Sequence, residues 1–205
     1  MLTELSVKEL LAKTASSEPL PGGGCISALT AAAAAALTQM VAALTIGRKK
    51  FAAVEEKMRE VAEKAEHLRE GLTADVERDA FAYNQVLEAF KFPKGTEEEQ
   101  AEREKAIQAG YRLAAAVPLQ VAEQACRVLD LAGQAVTLGN PNAATDGLVG
   151  VMLARSAALG AIYNVKINLT AITDPAFVEK HRRRAERLER EVIEKEREIL
   201  AAAGL

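Results

Sequence analysis

Apolar residues recur along this chain at the three- and four-residue spacings of helices, and no stretch alternates as a strand does. Ser6 and Glu9 stand at capping-box spacing ahead of Leu10 and Leu11 and open a short first helix. Glu18-Pro19-Leu20-Pro21 breaks the chain, and Gly22-Gly23-Gly24 leads into an Ala-rich second helix. Gly47 and the cations Arg48, Lys49 and Lys50 close it, where positive charge suits the negative end of the helix dipole. A third helix is predicted from about Phe51 to Phe90, with a seam of Val54, Met58, Val61, Ala65, Leu68 and Leu72. The same rhythm then lands on Asp75 and Asp79 before returning to Ala82 and Val86. Pro93-Lys94-Gly95 ends that helix, and Thr96 with Glu99 caps a fourth, from about Glu97 to Ala132, kinked at Pro118. After the loop Leu138-Gly139-Asn140-Pro141-Asn142, a nearly apolar fifth helix runs from about Ala143 to Ile172. Such a helix belongs at the centre of a bundle or at a subunit interface. Asp174-Pro175 starts a last, charged helix to about Leu200, with predicted pairs Glu179–Arg183, Glu186–Arg190 and Glu191–Lys195.

The expectation is an all-α protein: residues 1–205 as one helical bundle of about six helices. Composition agrees, since 205 residues with 49% apolar content, 4% aromatics and no Trp build a core from Ala, Leu, Val and Ile. A net charge of −3 offers no general attraction to nucleic acid, and the arginines near the C-terminus are interleaved with acids, as on a solvated face or a dimer edge. Cys25 and Cys126 read as buried free thiols of a reducing compartment. The N-terminus does not read as a secretory signal, so a cytoplasmic protein is expected. Cys25 to Ile46 runs 22 residues without a charge, but its Ala, Ser and Thr content favours a buried core helix over a membrane span.

Few catalytic tool kits are present. His67 and His181 are the only histidines, the cysteines lack metal-ligand spacing, and Gly24 is followed by Cys25-Ile26 where a phosphate loop needs Lys and Ser/Thr. An enzyme with these residues works through carboxylates, amides, lysines and backbone donors, without a metal. Asp75 and Asp79, one turn apart on a buried phase, either need partners and shifted proton affinity or are exposed by a rotation of the helix. Asp146 heads a stripe of Gly150, Ala157, Gly160, Ala161, Asn164 and Asn168 on the fifth helix, which reads as close helix packing or as a ligand wall. Asp146 and Asn164 lie roughly 27 Å apart along that helix, so one reacting centre meets both only across a two-fold dimer. The glycine run offers unhindered backbone N–H groups, or simply a tight turn.

Pro21-Gly22-Gly23-Gly24, Thr45-Ile46-Gly47-Arg48-Lys49-Lys50-Phe51, Asp79-Ala80-Phe81 with Pro93-Lys94, and Val117-Pro118-Leu119 follow one another in a familiar order. With Gly139-Asn140 through Thr145-Asp146 and Asn164-Val165 with Asn168-Leu169, they resemble the cyclodeaminase/cyclohydrolase family across nearly the whole chain. The resemblance implies an all-helical homodimer with a folate site beside the interface. Two activities follow from it: formiminotetrahydrofolate cyclodeaminase, a lyase, and methenyltetrahydrofolate cyclohydrolase, a hydrolase. A non-catalytic folate- or partner-binding dimer is a further alternative. No separate cofactor is implied, since the tetrahydrofolate derivative is the substrate. Carried onto this chain, Asp79 is the expected central carboxylate and Asp146 a second acid/base or pterin anchor. Lys49, Lys50 or Lys94 would hold the folate's glutamate carboxylates. Gly22, Gly23, Gly24, Asn140, Asn142, Asn164 and Asn168 complete the expected binding set.

Overall fold

In the computed structural model, residues 1–203 are described, and among them every regular element is helical. The helices are α1 (Val7–Thr14), α2 (Gly23–Ala43), α3 (Glu55–Phe90), α4 (Glu97–Leu138), α5 (Ala144–Leu169) and α6 (Pro175–Ala203). Short 3₁₀ turns occupy Leu2–Glu4, Lys49–Val54 and Pro141–Ala143. Local chemistry sets most boundaries. Ser6 with Glu9 and Thr96 with Glu99 both form complete capping boxes, and Asp174 Oδ1 accepts from the Ala176 and Phe177 N–H groups to cap α6. The third helix begins at Glu55, four residues later than the periodicity predicts, because the chain leaves Gly47 (φ +75°) and first winds a 3₁₀ turn.

Helices α2 to α5 pack antiparallel in sequence, with α2 against α3 and α5, and α4 against α3 and α5. Small residues make this possible. Ala28, Ala31, Ala34 and Ala35 of α2 are fully buried, and a Cβ added to Gly160 of α5 would lie 2.5 Å from Ser27 Oγ. The Gly150–Gly160 part of the α5 stripe is therefore close packing against α2. Helix α6 is tied onto this core by ion pairs that cross between helices: Arg184–Glu123, Arg155–Glu196, Lys166–Glu189 and Lys195–Asp130. Of the three pairs expected within α6, only Glu179–Arg183 forms, since Lys195 reaches to α4 instead.

Pro118 does not end or divide α4, which continues to Leu138. The carbonyl of Ala114, which loses its intrahelical donor to that proline, accepts instead from Asn168 Nδ2 at 2.9 Å. Helices α2 and α5 are both long and apolar enough to cross a membrane, with about half of each buried inside the bundle. On the outer face Leu29, Met40, Val149, Met152, Tyr163 and Ile167 are exposed.

Candidate functional site

The buried phase of α3 continues through its acids: Leu72 is 0% and Asp75 1% exposed, while Asp79 is half-buried. The rotation that would expose both acids does not occur. Their surroundings differ. Asp75 accepts from Arg78 Nη1 and from Gln124 Nε2, each at 2.6 Å, and is fully committed to joining α3 to α4. Asp79 meets the N-terminus of α2. A Cβ on Gly24 would lie 2.2 Å from its Oδ1, so only glycine admits the carboxylate there. One side-chain donor among the described residues reaches it, the Cys25 thiol, at 3.2 Å from Oδ2.

Burial pushes the Asp79 carboxyl above its usual range; the Cys25 thiol and backbone N–H partly oppose this, and the Asp75 carboxylate reinforces it. Cys25 is itself pushed up to about 12, by burial first and by the adjacent carboxylate second, which keeps it a protonated thiol.

Around Asp79 a pocket of about 150 Å³ is lined by Gly22, Gly23, Gly24, Tyr83, Asn164 and Asn168, with Pro19, Leu20 and Ala114 completing its wall. Asn164 Nδ2 donates to the Gly160 carbonyl, and Asn168 Nδ2 donates to the carbonyls of Asn164 and Ala114. Both amides are thereby fixed through their nitrogens, and neither carbonyl oxygen receives a donor from the described residues. A proton-accepting carboxylate, two oriented amides, a phenol and a bare helix N-terminus converge within one small concavity.

The other expected residues lie elsewhere. Asn140 is buried, with its side chain turned inward to Asn142 N–H and the Leu44 carbonyl, so it fastens the end of α2 to the start of α5. Asn142, Asp146, Lys49 and Lys50 share that end of the α2–α5 pair, opposite to Asp79 and separated from it by about the length of α2, ~30 Å. Lys94 sits in the loop between α3 and α4, exposed. Tyr83 and Cys25 were not singled out from the sequence as functional. Tyr83 lies one turn beyond Asp79, and Cys25 directly follows the glycine run; both spacings were available as signals. A larger groove of about 610 Å³ between α4 and α6 is lined by Lys180, Arg183, Arg184, Arg187 and Arg190, with Arg184 paired to Glu123.

Comparison with known proteins agrees with this architecture. A family model described as formiminotransferase-cyclodeaminase matches residues 6–187. The methenyltetrahydrofolate cyclohydrolase of Methylorubrum extorquens is 38% identical over 183 residues, covering 89% of this chain and 88% of that protein. The formimidoyltransferase-cyclodeaminase of Rattus norvegicus is 35% identical over 183 residues, and the chain spans about a third (34%) of that protein's length. The crystal structure of formiminotetrahydrofolate cyclodeaminase from Thermotoga maritima superposes with a TM-score of 0.86 at 28% identity, covering 97% of this chain and 96% of that one. The fold is that of an all-helical cyclodeaminase/cyclohydrolase domain of folate one-carbon metabolism. The chain belongs to the formiminotransferase-cyclodeaminase family.

Proposed function

We propose that the chain is a formiminotetrahydrofolate cyclodeaminase and that Asp79 carries its proton transfers. In that reaction N10 of 5-formiminotetrahydrofolate attacks the formimino carbon, the carbon–nitrogen bond to the formimino nitrogen breaks, and ammonia leaves to give 5,10-methenyltetrahydrofolate. One group must take the N10 proton and a proton must reach the departing nitrogen. The observation that carries the reading is a carboxyl with raised proton affinity, half-buried in a pocket with fixed amides. Such a group both accepts and returns a proton, and its anionic form steadies the cationic carbon. The Asn164 and Asn168 amides would orient the heterocycle, and Gly22 to Gly24 would leave backbone room beside it.

A second reading, methenyltetrahydrofolate cyclohydrolase, is favoured by the Methylorubrum extorquens relative, whose full length this chain nearly matches. There, Asp79 would deprotonate the water that attacks the methenyl carbon. In either reaction a pocket of about 150 Å³ is well below the ~300 Å³ or more of sites that enclose a drug-sized ligand, so only the reacting end enters. The glutamate end then lies outside, where Lys94, or Lys49 and Lys50 of a second copy, would meet its carboxylates. A homodimer is the form in which Asp146 and those lysines approach Asp79, and the exposed apolar residues of α2 and α5 supply a face for it. The test mixes purified protein separately with 5-formiminotetrahydrofolate and 5,10-methenyltetrahydrofolate and follows methenyl absorbance and ammonia, with uncatalysed conversion subtracted. Absorbance rising with ammonia from the first supports the cyclodeaminase. Accelerated loss of the second alone supports the cyclohydrolase, and silence on both rejects the enzyme.

A further inference from the structure

We propose that the Cys25 thiol is a positioning residue: it holds Oδ2 of Asp79 and so fixes which carboxylate oxygen meets the substrate. This rests on the reading of Asp79 as the group that moves protons. Three observations support the thiol's part in it. The Cys25 side chain is completely buried in the first turn of α2, with Sγ 3.2 Å from Oδ2. The same carboxylate occupies the space a Cβ on Gly24 would fill, so it is seated closely against the first turn of α2. A protonated thiol donates to a carboxylate, but more weakly than a hydroxyl does. It therefore orients Asp79 without stabilising the anion strongly, and proton affinity stays high.

The other groups facing Asp79 make the thiol's contribution separable. On its own helix stand Asp75, paired with Arg78, and Tyr83 one turn on. Across from it, α4 and α5 present Ala114, Asn164 and Asn168, none of them charged, and Pro19 and Leu20 close the remaining side. Among the described residues Cys25 is thus the side chain hydrogen-bonded to Asp79, and a single substitution adjusts it without altering charge.

The experiment compares wild type with Cys25→Ala, Cys25→Ser and Asp79→Asn on whichever folate the wild type turns over. It reads the pH profile of kcat/KM and the melting temperature. The limb that Asp79→Asn abolishes is the one to follow. Loss of the donor in Cys25→Ala moves that limb to higher pH, by about 0.5–1 unit for one hydrogen bond. The stronger hydroxyl donor in Cys25→Ser moves it to lower pH, an opposite displacement that a packing defect does not produce. If Cys25→Ala fails to fold, the near-isosteric serine variant carries the test. A limb that stays in place in the folded variants, or moves the same way in both, overturns the proposal. A limb that survives Asp79→Asn overturns the reading of Asp79 itself, and this proposal with it. In a protein that turns over neither folate, a carboxyl-carbon NMR titration of Asp79 reads the same displacements without catalysis.

Discussion

Replacing Gly24 with alanine places a Cβ 2.2 Å from Oδ1, 2.4 Å from Oδ2 and 2.5 Å from Cγ of Asp79. Carbon–oxygen contacts settle at about 3.3 Å or more, so the carboxylate or one of the two helices must retreat by roughly 1 Å. A retreat of that size in a reacting group costs on the order of 10²-fold in rate, equivalent to ~2.7 kcal/mol of transition-state stabilisation. The cost to stability is smaller. Overpacking takes about 1–3 kcal/mol, and the better helix propensity of alanine returns up to ~1 kcal/mol. Gly24→Ala is therefore expected to stay folded, melting within several degrees of wild type, while kcat/KM falls about a hundredfold. Gly23→Ala supplies the internal comparison. Its Cβ would meet only the Asn164 amide, the nitrogen at 3.3 Å and the oxygen at 3.9 Å, which a few tenths of an ångström relieve, so its loss is expected below tenfold. Continuous methenyl absorbance on both variants, beside thermal melts, decides the matter. A Gly24→Ala protein with kcat/KM within twofold of wild type would refute the close approach of α2 to Asp79 as a working feature.

Asp75→Ala removes the buried partner of a half-exposed Arg78 and leaves Gln124 Nε2 without an acceptor; a loss of about 1–3 kcal/mol is expected in guanidinium unfolding, and no measurable change would contradict it. Asn168→Ala frees the Ala114 carbonyl opposite Pro118, which is expected to cost about 1 kcal/mol and to speed amide exchange around that turn of α4; unchanged exchange there would count against the compensation. Because burial raises the Asp79 carboxyl above its ordinary value near 3.8, the folded chain binds that proton more tightly than the unfolded chain does. Its contribution to stability is thus lost as pH rises through the interval above 3.8, and unfolding free energies of wild type should fall there relative to Asp79→Asn; parallel curves would show that the shift is absent.

Much of the fold was legible because helix signals here are local. Capping boxes at Ser6 and Thr96 and the Asp174-Pro175 start fall where the side chains place them, and the α3 seam continues through Asp75 and Asp79 as its spacing says. The compensation at Pro118 was not legible, because the donor for the Ala114 carbonyl comes from Asn168, some fifty residues away, which no local pattern encodes. The expected Glu191–Lys195 pair of α6 does not form for a related reason: the i, i+4 rule holds for an isolated helix, and packing against α4 offered Lys195 a partner in Asp130. Asp79, the glycine run, Asn164 and Asn168 belong to separate motifs, and only the antiparallel packing of α2 with α3 and α5 gathers them. The same packing separates Asp146, Lys49 and Lys50 from them by the length of α2. Cys25 was read for its burial alone, because a thiol's donor role depends on what stands opposite it.

The most direct test of the account is Asp79→Asn, which keeps the shape of the side chain and removes its ability to carry a proton. Purified as a folded protein with a melting temperature near wild type, it should lose at least a hundredfold in turnover of the folate that wild type accepts, on the order expected for a lost general acid/base. Full turnover in that folded variant would contradict the account and remove Asp79 from the mechanism.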